Sequence, residues 1–328
     1  MADSYPVAEL GWGVYAVGMF GFLNIRKSPG PTSHDVVANI RRTLGAGLPR
    51  RARPKVGHAG TLDPFAQGVL VVCLGPATRL AQFVQAQPKR YAAEITLGAT
   101  STTDDTEGEI SPVVCSSPPG LEAVAKAMSK FTGRILQVPP AHSAVHVAGR
   151  RAYDLARAGE TVSLPGREVA VHELNLISYE YPLLNIDVHC GCGTYIRSLA
   201  RDIGATLGVG GYCSGLTRTA VGNFDISSAR SLEELDISRD IVKPQDAIDL
   251  PQIPVGEQDV IALRQGKTIP SNHHAEHGYP AGCRGCGVCN HAEQVLLIDQ
   301  AGRLVALAEP SDNSTPASLK PVKVFPPA

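Results

Sequence analysis

An α+β fold is predicted from the 328-residue sequence by three features. Apolar runs at the two-residue period of a strand are intermixed with runs at the three-to-four-residue period of a helix. A proline-bounded stretch, Pro244 to Pro254, sets the bulk of the chain apart from a C-terminal part with a hairpin pattern. The length suits two domains or one large domain with an appendage, and a 43% hydrophobic share supplies a core.

Taken in order, residues 1–18 read as a loose extension, too polar and glycine-rich for a signal peptide and without its basic start. Phe22 to Ile25 suits a short strand. Thr32 or Ser33 can cap a helix carrying Val36, Val37, Ile40 and Leu44. The Arg- and Pro-rich Leu48 to Lys55 reads as a surface loop, and Gly57 to Gly68 as a polar turn feeding a buried strand, Val69 to Leu74. A helix is expected from Thr78, with Leu80, Phe83 and Val84 on one face, ending before Pro88. Tyr91 to Leu97 is rich in strand formers, Asp104 to Gly108 is a polar turn, and a helix is expected between Pro119 and Gly133. Ile186, Val188 and Cys190 alternate with polar residues as in a half-buried strand. In the helix after Gly193, Ile196, Leu199, Ile203 and Leu207 share a face, while Arg197 and Arg201 lie one turn apart on another. Gln294 to Ile298 and Leu304 to Leu307 flank Asp299 to Arg303 as in a hairpin of a small β-barrel.

Composition narrows the function. No apolar run reaches the roughly 18 residues of a membrane span, so a cytoplasmic protein is expected. The eight cysteines in a chain without a secretion signal point to reduced thiols. Net charge is only -1, but the charges are segregated. Arg41, Arg42, Arg50, Arg51, Arg53 and Lys55 crowd the approach to Asp63, whereas acids collect at Asp104 to Glu109 and Glu233 to Asp249. Segregation of that kind gives a neutral molecule a positive face suited to phosphates.

The residues around Asp63 are unusual together. Gly57-His58-Ala59-Gly60-Thr61-Leu62-Asp63-Pro64 places a carboxylate and an imidazole in a glycine-framed turn, and Pro64 keeps Asp63 out of helical geometry. An Asp in such a turn can merely bond its own backbone. The surrounding blocks argue otherwise. Gly57-His58, Gly60, Leu62-Asp63-Pro64, Gly68 and Leu70, then Cys73-Leu74-Gly75, Ala77-Thr78 and Leu80, resemble the catalytic-Asp motif of the TruB family of pseudouridine synthases. Lys89-Arg90-Tyr91, Asp104 to Gly108, Gly193-Thr194-Tyr195-Ile196-Arg197, and Leu216 with Arg218 follow in the family's order, so the resemblance runs from about Phe22 to about Asp249.

The resemblance implies a pseudouridine-synthase fold with a mixed, largely antiparallel sheet over residues 19–250. It also implies an RNA-gripping insertion at 131–166 and a PUA-like RNA-binding β-barrel at 251–328. The implied reaction turns uridine into pseudouridine in the T arm of tRNA, at position 55 of tRNA numbering. It cleaves the N-glycosidic bond, rotates the base and joins C5 to C1', with no cofactor for catalysis. Asp63 would be the catalytic carboxylate, acting on the sugar by attack or by deprotonation. Arg197 would hold it charged and aimed, His58 would replace lost stacking, and Tyr195 and Leu216 would line the pocket. Tyr91 would stack on the uracil and remove the C5 proton. A monomer acting directly on tRNA, without guide RNA or membrane, is expected. The rival classes are a non-catalytic RNA-binding or RNA-folding protein, a synthase for another RNA, and a glycosidase. The intact Asp63, Tyr91 and Arg197 speak against a pure binder, and the lack of a second carboxylate in a similar turn speaks against a glycosidase.

Two departures qualify the resemblance. Pro139-Pro140-Ala141-His142 lacks the tyrosine common after Pro-Pro-X, and His146 replaces a basic residue. Residues 271–292 form a Cys/His-rich insertion foreign to the family. There Cys283, Cys286 and Cys289 at C-x2-C-x2-C spacing, with His291 or His277, could hold a structural zinc.

Overall fold

The computed structural model describes residues 19–141, 146–147, 150–151, 164–270, 294–311 and 318–326. Its first part comprises β1 (Gly21–Lys27), α1 (Ser33–Gly45), β2 (Val56–His58), β3 (Gln67–Leu74), α2 (Ala81–Ala86), β4 (Lys89–Leu97), β5 (Ala99–Ser101) and β6 (Ile110–Pro112). There follow α3 (Leu121–Ser129), β7 (Gly133–Gln137), β8 (His146–Val147), β9 (Arg150–Arg151), β10 (Arg167–Glu180), β11 (Leu183–Cys190), α4 (Ile196–Thr206), β12 (Gly211–Val221) and β13 (Phe224–Asp225). The main sheet runs β1-β3-β12-β4-β11-β10-β7, with β2 also on β3 and β13 on β12. Every pairing in it is antiparallel except β3 with β12. The sheet is therefore mixed and largely antiparallel, the α+β architecture expected.

β3 explains the unbroken apolar run. Val69 to Leu74 are all sealed from solvent because both faces are covered. Leu70, Val72 and Leu74 join α1 and α4 in one core, while Val69, Val71 and Cys73 join Phe22, Phe83, Leu296, Leu307 and Phe325 in a second. One long edge of β3 is shared: Gln67 and Gly68 pair with β12, and Val72 to Leu74 pair with β2. Gly68 takes φ +106, and a Cβ there would lie 2.2 Å from the Arg218 carbonyl, so only glycine lets β12 approach this closely.

The C-terminal part holds β14 (Gln252–Pro254), α5 (Glu257–Arg264), β15 (Ile269–Pro270), β16 (Val295–Ile298), β17 (Leu304–Pro310) and β18 (Ser318–Val324). Its five strands are ordered β14-β16-β17-β18-β15. The stretch before it is packed rather than free. Gln87 Nε2 donates to the Ala247 carbonyl at 2.9 Å, and Arg79 Nη1 donates to the Val324 carbonyl at 2.8 Å. The expected helix after Thr78 is a 3-10 turn, Gly75–Leu80, that passes into α2.

Candidate active site

The Asp63 loop, Ala59 to Ala66, is fastened from three sides. Thr32 caps α1 and forms a capping box with Asp35, which leaves Ser33 free to grip the loop. Ser33 Oγ donates to the Leu62 carbonyl at 2.9 Å and accepts from the Leu62 amide at 2.8 Å. Lys27, at the end of β1, donates through Nζ to the carbonyls of Asp63 and Pro64 at 3.1 Å and of Ala66 at 2.6 Å. Arg218, on β12, donates to the carbonyls of Val69 at 2.8 Å, Thr61 at 3.1 Å and Gly60 at 3.1 Å. Both cations are buried, and a buried cation must fill its donor sites, so each specifies the path of the loop. Burial pulls the Lys27 ammonium below its usual range, and the nearby Asp63 and Glu107 carboxylates act against that shift.

The carboxylate so presented meets Arg197 from the first turn of α4. Arg197 Nη2 donates to Asp63 Oδ1 at 3.2 Å, and Nε lies 3.0 Å from Oδ2, a side-on two-point contact. Arg197 is 5% exposed, while the Asp63 side chain keeps 32% of its surface open. The third nitrogen, Nη1, donates to Asp105 Oδ2 and to the Thr103 carbonyl, both at 3.0 Å. One guanidinium thus bridges two carboxylates. The Asp63 carboxyl is pushed above the usual carboxylate range by lost hydration, offset by Arg197 and then raised again by Asp105. Its folded pKa exceeds its unfolded one, so its charge costs stability above that pKa, and the cost is relieved as pH falls through it.

Asp105 is a second carboxylate beside Asp63, which sequence reasoning had not located. It is not a second catalytic acid, because it is 1% exposed and both its oxygens are occupied, by Arg197 on one side and by Thr103 and the Glu107 amide on the other. The neighbouring Asp104 takes φ +62 and accepts from Arg201 Nη1 at 2.8 Å. The polar turn between β5 and β6 is therefore bolted to α4 by two Arg–Asp pairs one helical turn apart. The Arg197–Arg201 spacing was the signal for this; nothing local in the sequence showed which carboxylates they meet.

The other expected site residues fall into two groups. Tyr91 and Leu216 lie on the adjacent strands β4 and β12, where Tyr91 pairs with Arg218 and Ala93 with Leu216. Both are buried in the same core cluster as Leu62. Burial raises the Tyr91 phenol above its ordinary value, against the pull of the facing Arg218 guanidinium, so the phenol is protonated at neutral pH. Tyr195 and His58 sit at the margins. Tyr195 precedes α4, and Arg167 lies over its ring at 4.8 Å. The buried Gln137 amide accepts from the Tyr195 amide at 2.8 Å and donates to its carbonyl at 3.0 Å, a twin bond that sequence reasoning missed. His58, at the end of β2, is half-buried, and its Nδ1 is enclosed with no partner among the described residues. Burial, then His34 and Arg218, hold His58 below its usual range and therefore neutral.

The zinc set Cys283, Cys286, Cys289 with His291 or His277 lies outside the described residues, as does half of the insertion at 131–166. Among the described residues no cluster of His, Cys, Asp or Glu could hold a metal ion. None of their helices is long and apolar enough to cross a membrane.

The profile of the TruB family pseudouridylate synthase, N-terminal domain, matches residues 48–196. The chain is 43% identical over 235 residues to a tRNA pseudouridine synthase B of Microcystis aeruginosa, covering 70% of this chain and 77% of that protein. It is 40% identical over 314 residues to a tRNA pseudouridine synthase B of Thermobifida fusca, covering 93% and 98%. Among solved structures, a chain of a Cbf5-Nop10-Gar1 complex superimposes with a TM-score of 0.65 at 26% identity, covering 99% of this chain and 90% of that one. With this similarity spread over most of its length, the chain belongs to the TruB family of pseudouridylate synthases.

Proposed function

We propose that the protein isomerises uridine to pseudouridine in tRNA, at the T-arm uridine numbered 55, and reads the tRNA directly without a guide RNA. The observation that carries this is the half-open Asp63 carboxylate, held side-on by a sealed Arg197 next to the Tyr91–Leu216 floor. The tRNA substrate is supported by the names of the relatives.

The N1–C1' bond breaks, C5 bonds to C1', the C5 hydrogen leaves and N1 gains one, so product and substrate have the same atoms. No electrons are gained or lost overall, and the reaction calls for no redox cofactor. A uridine in folded RNA must first be unstacked, at about a few kcal/mol. Tyr91 and Leu216 give the extruded base an apolar seat, and the neutral His58 and the Tyr195 ring offer faces for its neighbours. Asp63 acts on the ribose, by attack at C1' or by taking a ribose proton, while Arg197 keeps it ionised and prevents rotation of the carboxylate. The Tyr91 phenol, protonated at neutral pH, would take part in loss of the C5 proton by exchanging its own. The chain is read as a catalytic domain at 19–250 followed by a PUA-like domain at 251–328, acting as a monomer. The Cys283, Cys286, Cys289 and His291 spacing is read as a structural zinc clip with no part in catalysis.

The test is release of tritium from T-arm RNA carrying C5-tritiated uridine. Wild type is expected to release it, while Asp63→Asn, and wild type on RNA lacking the target uridine, are not. Binding without release by wild type would favour a non-catalytic RNA-binding protein or a different RNA substrate.

A further inference from the structure

Residues 36–62 contain Arg41, Arg42, Arg50, Arg51, Arg53 and Lys55 and not one carboxylate. All six cations are exposed. Arg41 Nη2 and Arg53 Nε steady the chain by donating to the Val56 carbonyl at 2.8 Å and the Leu48 carbonyl at 3.1 Å. None of the six is in an ion pair among the described residues, whereas Arg90, Arg134, Arg201, Arg230, Arg239 and Arg303 all are. Like charges set side by side repel, and no carboxylate among the described residues pairs with these.

Their position differs from the one the sequence suggests. α1 starts against the Asp63 loop at Ser33 and runs 13 residues to Gly45, which is about 18 Å at 1.5 Å per residue. The chain returns where the Gly75 amide donates to the Lys55 carbonyl at 2.8 Å, just past the far end of β3. β3 itself spans eight residues, about 23 Å, from its start beside the Asp63 loop. The Ala46–Lys55 loop is thus roughly 20 Å from the catalytic carboxylate. Along an RNA strand that distance is several phosphates from the target.

We infer that the loop is a phosphate-binding surface for the RNA backbone that continues beyond the cleft. This rests on the reading of the protein as an RNA-modifying enzyme. Five of the six cations are arginine, whose fork matches phosphate oxygens, and Pro49 and Pro54 restrict the loop that carries them. Contacts of this kind add affinity without reading bases.

The experiment compares wild type with the triple variant Arg50→Gln, Arg51→Gln, Arg53→Gln in binding a tRNA transcript over a range of salt. The expected slope of log affinity against log salt is shallower in the variant by about two to three, since each of the three lost phosphate contacts removes about 0.7 to 0.9. The same loss is expected on a transcript with the target uridine replaced by cytidine, and kcat at saturating RNA stays unchanged. An unchanged slope would overturn the inference and leave the loop to solvent or to an acidic protein segment. A loss confined to the transcript with the target uridine would also overturn it. Because the residues are exposed, an unchanged thermal midpoint separates either result from misfolding. Absence of tritium release by wild type would defeat the enzymatic reading alone, since the binding slope still reports on the loop.

Discussion

Lys27, Arg197 and Arg218 are buried, while the six cations of the Arg41–Lys55 region face water, and the two sets do different work. A sealed cation has lost its hydration and must be ligated by the protein, so its donors dictate where acceptors sit. Lys27 and Arg218 spend theirs on carbonyls of the Asp63 loop, and Arg197 spends its own on Asp63, Asp105 and Thr103. These three build the site. Exposed cations shape little beyond their own loop, where Arg41 and Arg53 each bond one carbonyl, because water competes for the other donors; what they supply is a field felt over about 8–10 Å at physiological salt. Substitutions in the first set should therefore change rate and stability, and those in the second only RNA affinity.

The largest effect is expected for Asp63→Asn, which removes the reacting group and should lower the single-turnover rate by at least about four decades. Asp105→Asn comes next, because it leaves the sealed Arg197 without one anion. Breaking such a buried pair costs about 3–5 kcal/mol, read as a lowered denaturation midpoint. The same change has a pH signature. The Asp105 charge raises the Asp63 pKa, so its removal lets Asp63 ionise at lower pH and moves the acid limb of the rate profile downward. An upward move would show that Asp105 acts through the position of Arg197 rather than through its charge. Tyr91→Phe should keep RNA affinity and lose release of the C5 hydrogen, measured by tritium; full release would remove the phenol from that step. The smallest effect belongs to the exposed loop, whose neutralisation should shift stability by no more than about 0.5 kcal/mol.

What the sequence made legible follows from how local each feature is. β3 and the Asp63 turn are written in consecutive residues, Gly57 to Leu74, and could be read directly. The long strands β10 and β12 were not anticipated, because bulges interrupt their two-residue period between Val171 and Glu173, Leu176 and Ser178, Cys213 and Gly215, and Arg218 and Ala220. Asp63 and Arg197, 134 residues apart, were joined by resemblance to a family, since no periodicity links positions so distant. Asp105, Lys27 and Gln137 were harder still. Their importance lies in which carbonyl or guanidinium each one meets across the fold, and residue type alone does not carry that.

The role of Arg197 is tested by the single-turnover rate of C5 hydrogen release at saturating RNA for Arg197→Lys. Lysine keeps the charge but loses the two-point fork on Asp63 and the bridge to Asp105. A fall of about two to three decades with RNA affinity unchanged is expected, comparable to losing one preorganised donor from an active site. A rate near that of wild type would contradict this role and remove Arg197 from the catalytic centre.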